Sequence, residues 1–411
     1  MKFDTKLVHS GYQPYPETVA GSPPIFQTAS YTYQDAQQLH EVFAGKQAGY
    51  LYSRIANPTI TFLENRLVSL ENGLGAVATA SGMSAIFATV LTLVQSGEEI
   101  VTTRGLFGGT IYLFEEILKP LNIIVRYVEP TNLKQIKQAI NHKTRFIFTE
   151  SLSNPALEIP DLEGIHKVSK EAGIPFVVDS TVTTPYLLAA KQWGADIIIH
   201  STTKFISGHG NAVGGILIDS GLYEWKRFSG ERIKKACEIF GRLGFLAAAR
   251  RQVVQNMGAC QSPFNAYLTA LGLETLSLRM EKHCHNALIL ARFLKDQPQV
   301  SGVNYPGLDE QAFHSLAKKQ FNGYFGALLT FQLKDQAACY RFLNALKLVK
   351  QQVNLGDART LGIHPDSSIF LKCTVEQRQM AGVTPEMVRI SVGIEDIEDI
   401  QEDIQQALTK V

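Results

Sequence analysis

Pro175-Phe-Val-Val-Asp179 and Asp196-Ile-Ile-Ile-His200 are short apolar runs, each closed by a polar residue, with a helix-length segment between them. The pattern reads as strand, helix, parallel strand, with both strands buried on two faces. In an open α/β sheet, chemistry gathers outside the carboxyl ends of the strands. Asp179 ends the first run, and Ser201-Thr-Thr-Lys204 follows the second directly. A lone acid and a lone lysine at strand ends are more often ordinary solvated side chains. Here two threonines and a serine precede the lysine. A glycine-rich segment, Gly208 to Gly215, follows it, where backbone can approach a ligand closely.

The chain around this stretch is ordinary in composition. Its 411 residues carry a formal net charge of +1, which gives no reason to expect nucleic acid or an anionic membrane as partner. The five cysteines are odd in number and lack any CxxC, so neither a disulfide framework nor a zinc site is indicated, and a reducing compartment is expected. Met1-Lys-Phe-Asp-Thr-Lys6 has no apolar core of signal-peptide length, and the cytoplasm follows as the default. Ala76 to Val94 holds no charged side chain. Thr79, Ser81, Ser84, Thr89 and Thr92 interrupt it, so a buried helix entered through a polar loop is expected rather than a membrane span.

Residues 1 to about 50 hold many turn formers and several aromatics (Tyr12, Tyr15, Phe26, Tyr31, Tyr33), with Pro14, Pro16 and Pro23-Pro24 among them. Aromatic content argues against disorder, and an arm packed on a partner subunit is expected. Tyr52 and Arg54 follow in an extended stretch, with i and i+2 on one side. A phenol beside a guanidinium makes a phosphate clamp, although a plain surface pair has the same spacing. Asn57-Pro58 then turns into an amphipathic helix. Ser81-Gly82-Met83 opens the uncharged helix, whose free N–H groups make an anion site. Phe107, framed by glycines after the strand Glu99–Thr103, presents a ring face that suits a planar ligand. Arg145 to Glu150 is another buried strand, leading to Asn154-Pro155. Strand–helix alternation continues to about Leu217, the doubly wound pattern of an α/β domain. A long helix is expected from about Ala266 to Lys295, then short strands at Ala327–Phe331 and Met387–Ser391 in an α+β texture. Arg389 in the last strand needs a carboxylate partner, structural or from a ligand. His364, before Pro365, is expected to be structural.

Asp179 with Ser201-Thr-Thr-Lys204, Tyr52-x-Arg54-x-x-Asn57-Pro58-Thr59 and Ser81-Gly82-Met83 together resemble the Cys/Met-metabolism enzymes that use pyridoxal phosphate (PLP), over nearly the whole chain. The resemblance implies a type I PLP-transferase fold, aspartate aminotransferase-like, with a large doubly wound domain and a smaller C-terminal α+β domain. The arm would span 1–56, the PLP domain 57–255 and the last domain 256–411. It also implies roles. Lys204 would form the Schiff base, and Asp179 would pair with the pyridine nitrogen. Ser81, Gly82, Met83, Ser201 and Thr203 would hold the cofactor, with Phe107 stacked on its ring and Asn154 near its phenolic oxygen. Tyr52 and Arg54 would reach the phosphate in a neighbouring subunit of a homotetramer, a dimer of dimers. Arg389, with Asn354, would bind the substrate carboxylate.

Within that family, Gln261-Ser-Pro-Phe-Asn265, Asn354-Leu-Gly-Asp357 and His364-Pro365 look more like the O-acetylhomoserine sulfhydrylases than like the lyases. The family's usual tyrosine at Phe107 is credited with proton transfer to the leaving group, and Phe107 has no hydroxyl for that. Tyr52 is the expected substitute acid. Gly109 stands where methionine γ-lyases carry cysteine. The implied reaction is γ-replacement on an O-acylhomoserine by sulfide, giving homocysteine. A γ-lyase, an O-succinylhomoserine enzyme and a catalytically inactive scaffold are the alternatives.

Overall fold

The computed structural model describes residues 1–14 and 19–411. Tyr15 and Pro16 of the expected arm lie outside the described residues. Seven strands form the larger sheet: β1 (Gly75–Thr79), β2 (Glu99–Thr103), β3 (Ile124–Val128), β4 (Thr144–Glu150), β5 (Phe176–Asp179), β6 (Ile197–His200) and β7 (Gly215–Asp219). Their order is β1-β7-β6-β5-β4-β2-β3. The two runs that decide the fold are β5 and β6, parallel and in register from Val177 opposite Ile197 to Asp179 opposite Ile199. β7 is antiparallel to both of its neighbours.

Strand periodicity sends alternate side chains to opposite faces, and both faces are covered. Val178 and Ile198 join Leu63 and Leu67 in one core. Val177, Ile197 and Ile199 join Ile86 and Val90 in the other. A smaller sheet, of β8 (Gly302–Asn304), β9 (Leu328–Gln332), β10 (Lys350–Gln351), β11 (Leu361–Ile363) and β12 (Met387–Ser391), runs in the order β10-β11-β12-β9-β8. It has its own core, built with the Ile397–Leu408 helix.

Four segments differ from the sequence expectations. Between β5 and β6 there is no single helix but two short helical pieces, Thr184–Leu187 and Ala190–Trp193. Between them Leu188 is extended (φ −127°, ψ 111°), and Leu187, Leu188 and Ala190 are all fully buried. The uncharged run is strand β1 followed by a helix over Gly82–Leu93. The long helix is two, Pro263–Leu273 and Leu276–Lys295. The Gly272 carbonyl accepts from Thr275 Oγ1 and Arg279 Nη2 at the break, so side chains serve a carbonyl that the helix ladder would otherwise use. The first 50 residues contain helices Phe3–His9 and Ala36–Phe43. The first is anchored within the chain, with Leu7 buried and Lys6 Nζ donating to the Ser69 carbonyl and Asn72 Oδ1, each at 2.7 Å.

The Leu276–Lys295 helix bridges the two units. Its first half puts Leu276, Met280 and Cys284 into the core of the larger sheet. Its second half puts Ala287, Leu290 and Leu294 into that of the smaller.

At the opposite end of the sheet from the expected site, Asp196 and Asp219 are buried near one another. Asp196 Oδ2 accepts the Phe176 N–H at 2.8 Å, and Asp219 accepts from Gly221 N–H and the Trp225 indole. Burial pushes Asp196 up to about 7 and Asp219 to about 6. A carboxyl whose folded pKa is raised gives stability that is complete below its unfolded pKa and is lost as pH rises to the folded value. Asp196→Asn keeps an oxygen acceptor and removes the titration. The variant should match the parent near pH 4 and exceed it at pH 8, with a ceiling of roughly 4 kcal/mol for a three-unit shift, as read by urea denaturation at the two pH values.

Candidate active site

A cavity of about 270 Å³ opens at the carboxyl edge of the larger sheet, where β12 and the loop before β11 close over it. Lys204 lies in the turn after β6, and its Nζ donates to Asn354 Oδ1 at 2.7 Å. Burial, helped by the charge of Arg389, lowers Lys204 to about 8. That brings the neutral amine within reach near neutral pH.

Arg389 comes from β12, between Thr330 of β9 and Ile363 of β11. Its Nη1 donates to Asn154 Oδ1 at 2.9 Å and its Nη2 to the Asn354 carbonyl at 2.8 Å. Its Nε is buried with no partner, and no carboxylate among the described residues reaches it. Burial lowers this guanidinium to about 10, so it keeps its charge at neutral pH. A buried cation without an acid is costly, and this one faces a cavity that a ligand carboxylate could enter.

The other end of the cavity is acidic. Asp179 closes β5 and Glu150 closes β4, directly opposite each other in register and therefore on the same side of the sheet. Asp179 Oδ1 accepts the Thr181 N–H at 2.9 Å, and Glu150 Oε1 accepts that of Phe107 at 2.7 Å. Burial raises both carboxyls. The neighbouring Asp179 charge raises Glu150 further, well above the usual range, whereas His200 opposes the rise of Asp179. Two buried like charges so close do not both ionise, and Glu150 keeps the proton. Sequence reasoning missed Glu150. The signal was the one that found Asp179, a polar residue closing an apolar run. Behind them, His200 is fully buried, with Nδ1 donating to the Ser180 carbonyl at 3.1 Å and Nε2 at 2.6 Å from Glu71 Oε1.

Ser81 caps the Gly82–Leu93 helix, its Oγ accepting the Ser84 N–H at 3.1 Å. The N–H groups of Gly82 and Met83, at the first turn, lack intrahelical partners by geometry. A Cβ on Gly82 would lie 2.5 Å from the Cβ of Ser201, so only glycine allows the two loops to meet here. Ser201 donates its N–H to Thr181 Oγ1 at 2.7 Å. The Thr203 hydroxyl donates to the Gly214 carbonyl and accepts the Gly214 N–H, so it braces the glycine-rich segment. Phe107 lines the cavity, and a Cβ on Gly109 would lie 2.6 Å from its ring.

The cavity thus gathers Lys204, Asp179, Ser81, Gly82, Met83, Phe107, Asn154, Ser201, Thr203, Asn354 and Arg389. It does not gather Tyr52 or Arg54. Tyr52 pairs with Ser30 and is 43% exposed. The chain turns after it, so the extended stretch ends there. Arg54 lies over the Tyr52 ring at 5.3 Å and donates to the Gln255 carbonyl at 2.8 Å. His364 is held by Ser367 and the Pro385 carbonyl, both 2.8 Å away, in a structural role.

These residues fit PLP. The helix start provides N–H donors for a phosphate, the acid pair suits a protonated ring nitrogen, and Lys204 is an amine of lowered basicity. Among the described residues no group of three or more His, Cys, Asp or Glu could hold a metal ion, and no helix is long and apolar enough to cross a membrane.

The chain is similar to known proteins along its whole length. The chain is 42% identical over 420 residues to the O-acetyl-L-homoserine sulfhydrylase 1 of Thermus thermophilus, covering 99% of this chain and all of that one. It is 39% identical to the O-acetyl-L-homoserine sulfhydrylase of Leptospira meyeri, over 100% of this chain and 97% of the relative. Among solved structures, a Campylobacter jejuni protein described as an O-acetylhomoserine (thiol)-lyase superposes with a TM-score of 0.93 at 33% identity, with both chains fully covered. That structure contains N′-pyridoxyl-lysine-5′-monophosphate. Residues 4–409 match the Cys/Met metabolism PLP-dependent enzyme family, and the chain belongs to it.

Proposed function

We infer that this enzyme replaces the acyloxy group of O-acetyl-L-homoserine with sulfide, giving homocysteine and acetate. The carrying observation is Phe107. At the place where the resemblance implies a tyrosine, the cavity presents a ring without a hydroxyl, and no tyrosine lines it among the described residues. A thiolate leaves poorly without a proton donor, whereas acetate leaves readily as the anion. An ester is therefore the substrate that this cavity suits.

Bound PLP would supply an electron sink for the charge left when a bond to Cα is broken. The chain's own groups do the rest. Arg389, with Nε free, takes the substrate carboxylate and fixes the Cα–H bond relative to Lys204. Lys204 Nζ removes the Cα proton and moves protons along the substrate, and Asn354 Oδ1 steadies it between transfers. Asp179 would hold a proton on the ring nitrogen, with Glu150 as the neutral acid beside it. Phe107, which lines the cavity, would present its face to the ring. The Cγ–O bond breaks with acetate carrying the electron pair, and sulfide forms the Cγ–S bond, with no net redox change.

The charges also bear on the acyl group. Among the described residues, the cations lining the cavity are Lys204 and Arg389, both already engaged by amine chemistry and the α-carboxylate. A succinyl ester would bring a second carboxylate with no cation to meet it. This favours the neutral acetyl group. We place Tyr52 and Arg54 in the cavity of a neighbouring subunit, as phosphate ligands in a homotetramer of cytoplasmic location, which engages the Tyr52 hydroxyl at the phosphate and, in place of the substitute-acid role expected from sequence, leaves the leaving group without a proton donor. Their exposure and their distance from their own cavity support that reading.

Lys204→Ala should abolish the visible absorption of lysine-bound cofactor and lower turnover by about 10³-fold or more, since the same amine carries the Cα proton. An unchanged spectrum would place the cofactor lysine elsewhere. For the substrate, kcat/KM with sulfide should be higher for O-acetylhomoserine than for O-succinylhomoserine, and about 10²- to 10⁴-fold higher than for cleavage of methionine. Phe107→Tyr should raise thioether cleavage more than ester turnover. A parent that cleaves methionine as efficiently as it turns over the ester would refute the assignment.

A further inference from the structure

The substrate carries its amine and its carboxylate on one carbon, so Lys204 and Arg389 must stand at a fixed separation. They belong to different sheets. One helix touches the segments that follow both. On the Leu276–Lys295 helix, Arg279, His283 and Asn286 share one face by their i, i+4, i+7 spacing, and all three are buried.

Arg279 grips the turn that carries Lys204. Its Nη1 donates to the Phe205 carbonyl at 2.7 Å, and its Nη2 to those of Ile206 at 3.4 Å and Gly272 at 2.6 Å. A Cβ on Gly208 would lie 2.1 Å from Nη1, which shows how closely the turn is drawn onto the guanidinium. The other two residues grip the segment after β12, a few positions beyond Arg389. His283 Nδ1 donates to the Val392 carbonyl at 2.6 Å. Asn286 Nδ2 donates to the carbonyls of Gly393 at 3.1 Å and Glu395 at 2.8 Å. The Phe205 ring meets the His283 ring edge-on, with centroids 5.3 Å apart, so the two grips touch.

Stability alone does not account for this stripe. Arg279 has no carboxylate partner among the described residues, and His283 Nε2 and Asn286 Oδ1 are buried without any partner. Orphaned buried polar atoms destabilise a fold, and they offset part of what the same side chains gain by satisfying backbone carbonyls. What the polar atoms supply is direction, since each hydrogen bond sets the position of a particular carbonyl.

We propose that Arg279, His283 and Asn286 are positioning residues that hold the Lys204 turn and the Arg389 strand at the separation one amino-acid substrate requires. Arg279 acts on the Lys204 side, and His283 with Asn286 on the Arg389 side. The proposal rests on Lys204 and Arg389 serving one amino acid, and not on that amino acid being an acetyl ester.

The test uses the full-length enzyme loaded with PLP. Arg279→Lys and Asn286→Ala are compared with the parent by the pH midpoint of the visible band, spectral titration with L-norleucine, which has no leaving group at Cγ, kcat and KM for O-acetylhomoserine, and Tm. Arg279→Lys should lower kcat at least about tenfold and move the band's midpoint, with norleucine affinity within about threefold of parent. Asn286→Ala should weaken norleucine binding and raise KM at least about tenfold, with the band unmoved and kcat within about threefold. Lower Tm in both with kcat, KM and the band as in the parent would reduce the stripe to a structural element, and the same pattern of losses from both would remove the division of labour. Either result overturns the proposal. If Arg279→Lys does not fold, His283→Leu and His283→Asn decide. The leucine variant should weaken norleucine binding at least about tenfold, and the asparagine, whose amide can donate to Val392, should restore it to within about threefold. Equal losses from both overturn the proposal. Band and norleucine titration need no turnover, so an enzyme that fails to use ester and sulfide leaves this test standing.

Discussion

Two cations share a buried space with no acid between them. Lys204 and Arg389 are joined through a single residue, Asn354, whose side-chain oxygen accepts from one and whose carbonyl accepts from the other. Neutral oxygens satisfy donors but do not cancel charge, so burial and then the Arg389 charge lower Lys204, while burial lowers Arg389. The lysine yields first, because an ammonium gives up its proton far more easily than a guanidinium. The outcome is one amine of lowered basicity and one permanent cation, the division that proton transfer and carboxylate binding need. An acid placed between them would relax both and spoil both.

The far end of the cavity repeats the arrangement with the sign reversed. Asp179 and Glu150 stand side by side at the ends of β5 and β4, and again one group yields. Here the division depends on the surroundings rather than on residue type. Asp179 has the Thr181 N–H and the nearby His200, whereas Glu150 has only the Phe107 N–H and the charge of Asp179 against it. The hydrogen bond from the Phe107 N–H also links that residue to this acid pair, so its position and the protonation of the site share one carboxyl. Such a cavity fits a planar, phosphorylated, cationic ring, because it offers anion donors at a helix start, a buried carboxylate and an aromatic face.

Much of this was legible in the sequence because burial on both faces leaves a plain mark. β4, β5 and β6 are apolar runs with no alternation, and the residue closing each one falls at the chemical edge of the sheet. Asp179 was found that way, and Glu150 carries the same mark. What local sequence did not show was where tertiary contacts override a helical pattern. The break at Thr275 exists because Arg279, which follows it, folds back onto the Gly272 carbonyl. At the split between Thr184–Leu187 and Ala190–Trp193, Leu188 turns to extended backbone with its side chain in the core. Thr203 illustrates a subtler limit. Its place beside Lys204 was legible, but that its hydroxyl serves the Gly214 backbone depends on where a distant glycine comes to lie. Tyr52 and Arg54 are legible as a motif and as a surface pair, and a single chain shows only the second.

The same reasoning explains why the family's chemistry can tolerate Phe107. A residue that acts by its ring face and one that acts by a hydroxyl occupy the same volume, so the fold does not distinguish them. Gly109, beside the ring, leaves it room to lie as it does, and any side chain there would press on the ring's edge. In the proposed reaction the pair Phe107 and Gly109 would change the chemistry of the leaving group without disturbing the groups assigned to Cα, because those hang on other elements: Lys204 on the turn after β6, Asp179 on β5 and Arg389 on β12. Separating the two tasks onto different parts of the chain lets one scaffold keep a common first half of a reaction and vary the second.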